Sequence, residues 1–451
     1  MKKYYVGGDV SKGYCDFIIL DKATKVIEPI FQLDDTSIGY KSLKKILKNH
    51  SRDDQTIIFI GFESTGGYEN KWIEAIYSFE STMNLKVTRL NPRVSSAAEK
   101  ATLKRNKTDK TSALTIAKYL IRYADEIRYN SDNEWFHLRQ RWTYISLLTK
   151  NKVHLVNYLE KLLYTYNPTL IQYYRSPISN WLLSVIEKYP TGDNLRKARL
   201  KTLAKIPYVT EDKAKILKQN AKINPGLKAK PIEIIISDSV QHIRMSKRNI
   251  ENQISDLEQF LPPDQIQILI SFIGIDKFSA IGLLIEIGNI DWFESSKKLV
   301  AYIGVHPVYG QSGDGTYGTF MSKAGRTEAK RILFMVTMSA LKSNNDIRCY
   351  YLKKLLQGKK PMVALGACMH KTLRTLFAML KNKTIFSSSI KDTEIKDLEE
   401  KLDKIKKKPD INILREIEKK RFYQDFDSTA PISAFQHKKR KDYRSYMVNK
   451  K

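Results

Sequence analysis

The 451-residue chain carries 78 Lys and Arg against 48 Asp and Glu, a formal net charge of +30, and 42% of its residues are hydrophobic. That composition argues against an intrinsically disordered chain, and the lack of a long unbroken apolar run argues against a membrane span. Three well-separated cysteines, Cys15, Cys349 and Cys368, argue against a disulfide framework or a zinc site. So large a cationic excess attracts a polyanion. With 25 Tyr and 17 Phe interleaved, nucleic acid is the leading partner, since phosphates pair with Lys and Arg while bases stack on aromatic rings. The opening MKKYYVGGDV has no apolar signal core, and the expectation is a cytoplasmic protein.

Residues 1–128 read as α/β. YYVGGDV, CDFIIL, TIIFIGFE and LKVTRL are short apolar runs rich in strand formers. Helical patterns separate and follow them: GYKSLKKILKNH, GGYENKWIEAIYSFE and KTSALTIAKYLIRYA, the last with Ala113, Ile116, Ala117, Leu120 and Ile121 on one face. Residues 129–262 read as helical. Ile145, Leu148, Leu155, Leu159, Leu162 and Tyr166 form a narrow seam interrupted at Lys152, and Val240, Ile243, Ile250, Ile254, Leu257 and Leu261 form another interrupted at Lys247. Such seams suit a coiled coil, within the chain or between subunits. The two lysine breaks either fix register or coincide by chance.

LPPDQ marks a boundary near residue 262, after which 263–381 read as a compact, mostly helical module. FIGIDKFSAIGLL there resembles a helix-hairpin-helix, in which Gly274 and the next helix N-terminus offer N–H groups to a phosphate; an ordinary helical turn is the alternative. GVHPVYGQSGDGTYGTFMSKAGR follows, a glycine-rich stretch around Ser312. That serine is either a turn cap or a nucleophile on a loop able to approach a phosphate closely, with Lys323 and Arg326 nearby as phosphate clamps. Residues 382–451 turn polar and Lys-rich, an extension that is partly helical and partly disordered.

Three carboxylates stand out. Asp9 ends the first strand, Glu63 ends TIIFIGFE, and Asp109 opens the helix DKTSALTIAKYL. A carboxylate at the end of an apolar strand is costly to bury unless it meets a cation. Singly, Asp9 and Asp109 are ordinary turn or cap residues. Together, at the exposed ends of a sheet, the three supply hard oxygen ligands for Mg2+, with water and phosphate completing the shell.

That element order resembles the RNase H-like (RuvC-like) fold of the Holliday-junction resolvases. The blocks GGDVSKGYCDFIIL, GFESTGGYEN, LNPRVSSAAEKATLKRNKTDKTSALTIAKYL, FIGIDKFSAIGLLIEIGNIDWFESSKKLVAYIGVHPVYGQSG and SKAGRTEAKRILFMV resemble those of the DEDD transposase family of insertion sequences, over about residues 4 to 380. These are the bridge-RNA-guided recombinases, with the pilin-inverting site-specific recombinase as a relative. The resemblance implies a RuvC-like catalytic domain over 1–128, a coiled-coil region over 129–262, a mostly α transposase domain with the serine loop over 263–381, and a basic extension over 382–451. It implies that Asp9, Glu63 and Asp109 are the first three acids and metal ligands, and that Ser312 attacks DNA to form a covalent phosphoserine intermediate. It further implies Mg2+, donor and target DNA, a structured guide RNA, a dimer assembling to a tetramer with a composite site, and a bacterial, nucleoid-associated location. One departure stands in DKTS: Ser112 occupies the fourth-acid position. Residues three apart share a helix face, so one negative charge is missing from the ligand set and metal affinity and activity should fall.

Three rival functions remain at the level of sequence. A metal-dependent junction nuclease would use the same acids with water and no serine. A degenerate relative would only bind nucleic acid. A sugar-kinase or actin-like ATPase shares the look of GGDVSKGYCDFIILD as a first phosphate loop, but no second phosphate loop follows.

Overall fold

Alternation along the first strands decides how the N-terminal region folds. In the computed structural model, which describes residues 2–51, 55–64, 66–79, 82–92, 109–124, 127, 129, 134–175, 177–312, 315–388, 390–406, 430–432, 435–438 and 440, the backbone forms two units, residues 1–136 and 137–451.

The first unit is built on β1 (Lys3–Ser11), β2 (Tyr14–Asp21), β3 (Val26–Asp34), β4 (Ile57–Glu63) and β5 (Leu85–Leu90), in the sheet order β3-β2-β1-β4-β5. The first three strands are antiparallel neighbours, and β1, β4 and β5 run parallel. This mixed sheet is the α/β arrangement expected, and its strand order accords with an RNase H-like domain. The β3 edge strand lies outside the expected elements. Its segment VIEPIFQLD contains Pro29, and proline is confined to edges or bulges of sheets because it cannot donate to the ladder.

Side chains sort by parity. Val6, Val10, Phe17, Ile58, Ile60 and Phe62 pack with Leu43 and Leu47 of α1 (Ser37–His50) and Trp72 and Ile73 of α2 (Glu69–Tyr77). The opposite face carries Tyr5, Ile18, Leu20 and Phe59 and is covered by Ala113, Ile116, Ala117 and Leu120 of α3 (Asp109–Arg122). The helix lies almost on the strand backbone. A Cβ on Gly7 would stand 2.0 Å from the Ala113 carbonyl oxygen and 2.7 Å from the Ala117 nitrogen.

Among its described residues the second unit is helical apart from one hairpin. Its elements are α4 (Glu134–Tyr166, counted here from His137), a 3-10 turn (Pro168–Tyr173), α5 (Asn180–Lys188), α6 (Gly192–Lys197), α7 (Leu200–Ala204), α8 (Glu211–Ile223) and α9 (Lys230–Glu258). There follow α10 (Pro263–Ser271), α11 (Lys277–Ile287), α12 (Ser296–Ile303), the hairpin β6 (Pro307–Ser312) and β7 (Gly315–Met321), α13 (Thr327–Ser343), α14 (Asn345–Leu356), α15 (Pro361–Asn382) and α16 (Asp392–Lys406). Among the described residues no helix is long and apolar enough to cross a membrane. Most of the Lys-rich extension beyond residue 406, and the block at 93–108, lie outside the described residues.

The two seams pack within the chain. Leu159, Leu162 and Leu163 of α4 share a core with Ile236, Val240 and Ile243 of α9 and with side chains of α5 and α8. Arg141 near the other end of α4 donates to Gln253 at 3.2 Å and Asp256 at 3.5 Å on α9. The helices are therefore antiparallel, and this register puts Lys152 and Lys247 near the same level. Above Arg141's turn, Trp142 lies against Gly282 of α11, where a Cβ would meet its ring at 2.3 Å. A coiled coil predicts one continuous partner, whereas α4 is covered by different elements along its length.

The Gly7 contact yields a prediction. Gly7→Ala should lower the urea midpoint of the protein by an amount equivalent to about 1–3 kcal/mol, the usual cost of overpacking, because a backbone oxygen cannot move aside as a side chain can. An unchanged midpoint would contradict the packing described.

Candidate active site

Two of the three expected acids, Asp9 and Glu63, occupy one end of the sheet. Register on β1 and β4 runs through Gly8↔Phe62, so Asp9 and Glu63 are the next neighbours at the C-terminal ends of two parallel strands. Both follow the parity of Gly7 and Gly61 and face the α3 side. Both are half-buried. α3 runs opposite to β1: its Ala113 abuts Gly7, while its later residues Ile116 and Leu120 pack with the earlier Tyr5. The first turn of α3, residues 109–112, is therefore laid toward Asp9 and Glu63. Asp109 is the first residue of that helix, and its side chain lies outside the described residues. Ser112 is only 4% exposed. Among the described residues no three His, Cys, Asp or Glu side chains cluster closely enough to hold a metal ion.

Sequence reasoning missed three residues here. Asp16 stands opposite Asp9 on β2, on the face of Ile18 and Leu20. It is 6% exposed and accepts a 3.2 Å hydrogen bond from Gln32 Nε2. Its alternation with Ile18 and Leu20 was the available signal. Glu69 and Arg89 are the other two. Glu69, 1% exposed, accepts from the Gly67 amide at 3.0 Å and the Ser64 hydroxyl at 3.3 Å, and pairs with Arg89 Nε at 3.8 Å. Arg89 also donates to Asn70 Oδ1 at 2.9 Å and lies over the Phe136 ring at 4.6 Å. Burial lowers the Arg89 pKa and the Glu69 carboxylate opposes that shift. The pair anchors the chain directly after Glu63, where Gly66 and Gly67 take positive φ of 82° and 118°. No cysteine competes as a nucleophile in either unit's core: all three are buried free thiols, with Cys15 pushed up by burial and then by Asp9, Asp16 and Asp35, and Cys368 pushed up to about 12 by burial.

Ser312 belongs to a β-hairpin. It is the last residue of β6 and pairs with Gly315, with a register shift at Tyr309/Gly310. The side chains at 309–319 lie outside the described residues, as do residues 313 and 314. The foot of the hairpin is firmly held. The Ser322 amide donates to the His306 carbonyl at 2.9 Å, and Lys330 Nζ donates to the carbonyls of Ser322 at 3.3 Å and Ala324 at 2.9 Å. Gly304 and Gly325 interlock, a Cβ on Gly304 falling 2.0 Å from the Ala324 oxygen.

The two candidate clamps differ. Lys323 is exposed. Arg326 Nε donates to the buried Glu286 Oε2 on α11 at 2.8 Å, so at least one edge of its guanidinium is committed within the protein. The helix-hairpin-helix-like element is present as α10, a turn and α11. Gly274 takes φ +114° and approaches the Ala340 nitrogen of α13, to which a Cβ would come within 2.8 Å. Asp276 caps α11 by accepting from the Ser279 amide at 2.9 Å. A carboxylate at that helix N-terminus repels a phosphate, so packing rather than anion binding accounts for the turn.

Family comparisons divide along the same lines. Residues 6–168, which include Asp9, Glu63 and Asp109, match the DEDD transposase model of the IS110 type. Residues 266–352, which include Ser312, Lys323 and Arg326, match the model described as transposase IS116/IS110/IS902 family. Two separate parts of the chain are thus similar to transposases of the IS110/IS116 type. Among its relatives is an uncharacterized 43.6 kDa protein of insertion element IS110 from Streptomyces coelicolor, 25% identical over 218 residues, or 46% of this chain and 53% of the relative. An uncharacterized 44.8 kDa protein of insertion element IS116 from Streptomyces clavuligerus is 22% identical over 249 residues, or 53% of this chain and 62% of the relative. The pilin gene-inverting protein of Moraxella bovis is 26% identical over 157 residues, or 34% of this chain and 49% of the relative. The chain thus spans between about half and three-fifths of the length of these curated relatives.

Arg326→Ala tests the ion pair. Removing one partner leaves Glu286 buried without its counter-charge, and the expected loss is about 2–4 kcal/mol in urea unfolding, below the full cost of a buried pair because the guanidinium is partly exposed. A loss under about 1 kcal/mol would show that Arg326 is not held for structure.

Proposed function

We propose that this transposase-family chain breaks and rejoins DNA through Ser312, assisted by a divalent cation, Mg2+, held by Asp9, Glu63 and Asp109. The observation that carries this reading is the placement of Asp9 and Glu63 side by side at the ends of two parallel strands, beneath the first turn of α3. The donor set suits Mg2+, which takes oxygen ligands and commonly only one or two carboxylates, leaving positions for water and phosphate. When bound, the ion polarises phosphoryl oxygens and offsets developing negative charge.

The remaining work falls to the chain. Asp9 and Glu63 are set by strand register, and the Glu69–Arg89 pair holds the loop that leaves Glu63. The Ser312 oxygen bonds to phosphorus as the P–O3′ bond breaks; the DNA 3′-oxygen departs and takes up a proton, and the 5′-phosphate remains on serine as an ester. A 3′-hydroxyl of the exchanged strand then attacks that phosphorus, loses its proton, and returns the Ser312 hydroxyl. The bond energy is conserved, as rejoining requires. Lys323 is an exposed cation available to a phosphate near the hairpin. Ser112 in the fourth-acid position leaves the ligand set one charge short, which lowers cation affinity.

Donor and target DNA, a structured guide RNA, and a dimer assembling to a tetramer complete the proposal. The +30 charge supports polyanion binding, and Tyr144, Leu147 and Tyr158, exposed along one stripe of α4, support a homo-oligomeric contact. A nuclease using water at the same acids is the second reading, favoured by the separation of the acids and the serine into different units.

Products distinguish the two. Ser312→Ala should keep DNA and RNA binding, because one hydroxyl adds little to a multi-phosphate contact, and should lose strand exchange and the denaturant-resistant protein–DNA adduct. Asp9→Ala and Glu63→Ala should each reduce cleavage by at least about 100-fold with binding retained. Cleavage persisting in Ser312→Ala, leaving free ends, would establish the nuclease.

A further inference from the structure

A cavity of about 550 Å³ opens at the foot of the β6–β7 hairpin, against α15. His306, Phe320, Met321, Met362, Val363 and His370 form much of its lining. A second cavity of about 530 Å³ shares Tyr350 and His370 with the first and continues along α15 past Lys371 and Arg374. Lys359 stands at the first cavity, and the ammonium groups of Lys371 and Lys354 lie 4.9 and 5.2 Å from the Tyr350 ring centroid. Among the described residues, no lining residue of either cavity is acidic.

Three features give this site a chemistry. Phe320 is 57% exposed and Met362 68% exposed, so large apolar side chains face water at its rim. The His306 Nδ1 is buried without a hydrogen-bond partner among the described residues. The His370 imidazole is pushed below its ordinary value by burial, and further by Arg374 and His306, so at neutral pH it is uncharged, with one ring nitrogen a donor and the other an acceptor. Together these are an apolar slot, the hydrogen-bonding ring edge of His370 and a cationic border. An apolar peptide or lipid chain would leave Lys359, Lys371 and Arg374 unmatched. A free phosphate would leave the apolar slot unused.

We propose that this double cavity holds an unstacked nucleobase of a DNA strand, with the base in the slot beside Phe320 and Met362 and its flanking phosphates on Lys359, Lys371 and Arg374. The choice of DNA rests on the Ser312 reading. Pro307 at the cavity and Ser312 are the two ends of β6, about 17 Å apart at strand rise. A base captured at the foot of the hairpin would hold the strand in line with the serine at its tip.

The test uses the full chain, with the fluorescence anisotropy of a labelled single-stranded oligodeoxynucleotide as readout. Its comparison strands are a base-free (abasic) strand of the same length and an oligoribonucleotide of the same sequence. Phe320→Ala and Met362→Ala sit at exposed positions and should fold normally, as thermal melting would verify. Phe320→Ala should weaken binding of the intact DNA strand by about 5- to 100-fold, the range for loss of a base-stacking aromatic, and should leave the base-free strand nearly unaffected. A 5-iodouracil-substituted DNA strand should photocrosslink to peptides containing Phe320 or Met362. Equal weakening on intact and base-free strands, a loss confined to RNA, or crosslinks that all map elsewhere would each overturn the proposal. Binding is measured without turnover, so a normal Ser312 adduct in the Phe320→Ala protein together with unchanged base-dependent binding would remove this site and leave the serine reading intact.

Discussion

The approach of the α3 backbone to Gly7 is the contact on which the N-terminal unit depends. A helix normally rests on a sheet through a layer of side chains from each element. Here the glycine removes one layer, and the Ala113 carbonyl comes to where a Cβ would be. Gly61 on the next strand does the same more gently, leaving room for Leu120 and Ile116. The two glycines bring α3 down over β1 and β4, two residues short of Asp9 and Glu63. The glycines of GGDV and IGFE therefore set the height of the helix whose first residue is Asp109. Larger residues there would lift the first turn away from the strand ends.

In the second unit the comparable hub is α11. Every residue from Ala280 to Ile287 is buried, including Glu286. An apolar helix of this kind can be covered on all sides, and it is: α13 contacts it on one side, Trp142 of α4 closes on Gly282, and Arg139 donates to the Ile285 carbonyl at 3.1 Å. The one buried charge on the helix reaches Arg326, at the entry to α13 just beyond the hairpin. Replacing such a pair by apolar residues is often neutral for stability, so its consequence lies in position. It ties the segment that follows the hairpin to the core and holds the hairpin's foot beside α15.

Local pattern made part of this legible. Short apolar runs rich in strand formers gave β1, β2, β4 and β5, and the position of Asp9 and Glu63 at strand ends followed from them. β3 escaped because Pro29 breaks the pattern of a strand whose edge position tolerates it. The hairpin escaped because glycines at 310, 315 and 318 read as a loop, although glycine is only depleted in strands and not excluded. Asp16 was hidden inside an apolar run. Glu69 with Arg89, and Glu286 with Arg326, are separated by 20 and 40 residues, and periodicity carries no information about which charges meet across such gaps. The seams were read correctly as long helices, but one stripe of leucines looks the same whether one partner or several elements cover it.

The claim that Asp9 and Glu63 form one cation site can be tested without DNA, RNA or turnover. Mn2+ can be titrated into the purified protein and the free ion followed by electron paramagnetic resonance, comparing the unaltered chain with Asp9→Asn and Glu63→Gln. The account predicts one site of measurable affinity, weakened by at least about tenfold in each variant, since each removes a charged oxygen ligand from the same ion. Affinity unchanged in either variant, or two independent sites each lost with only one of them, would contradict it.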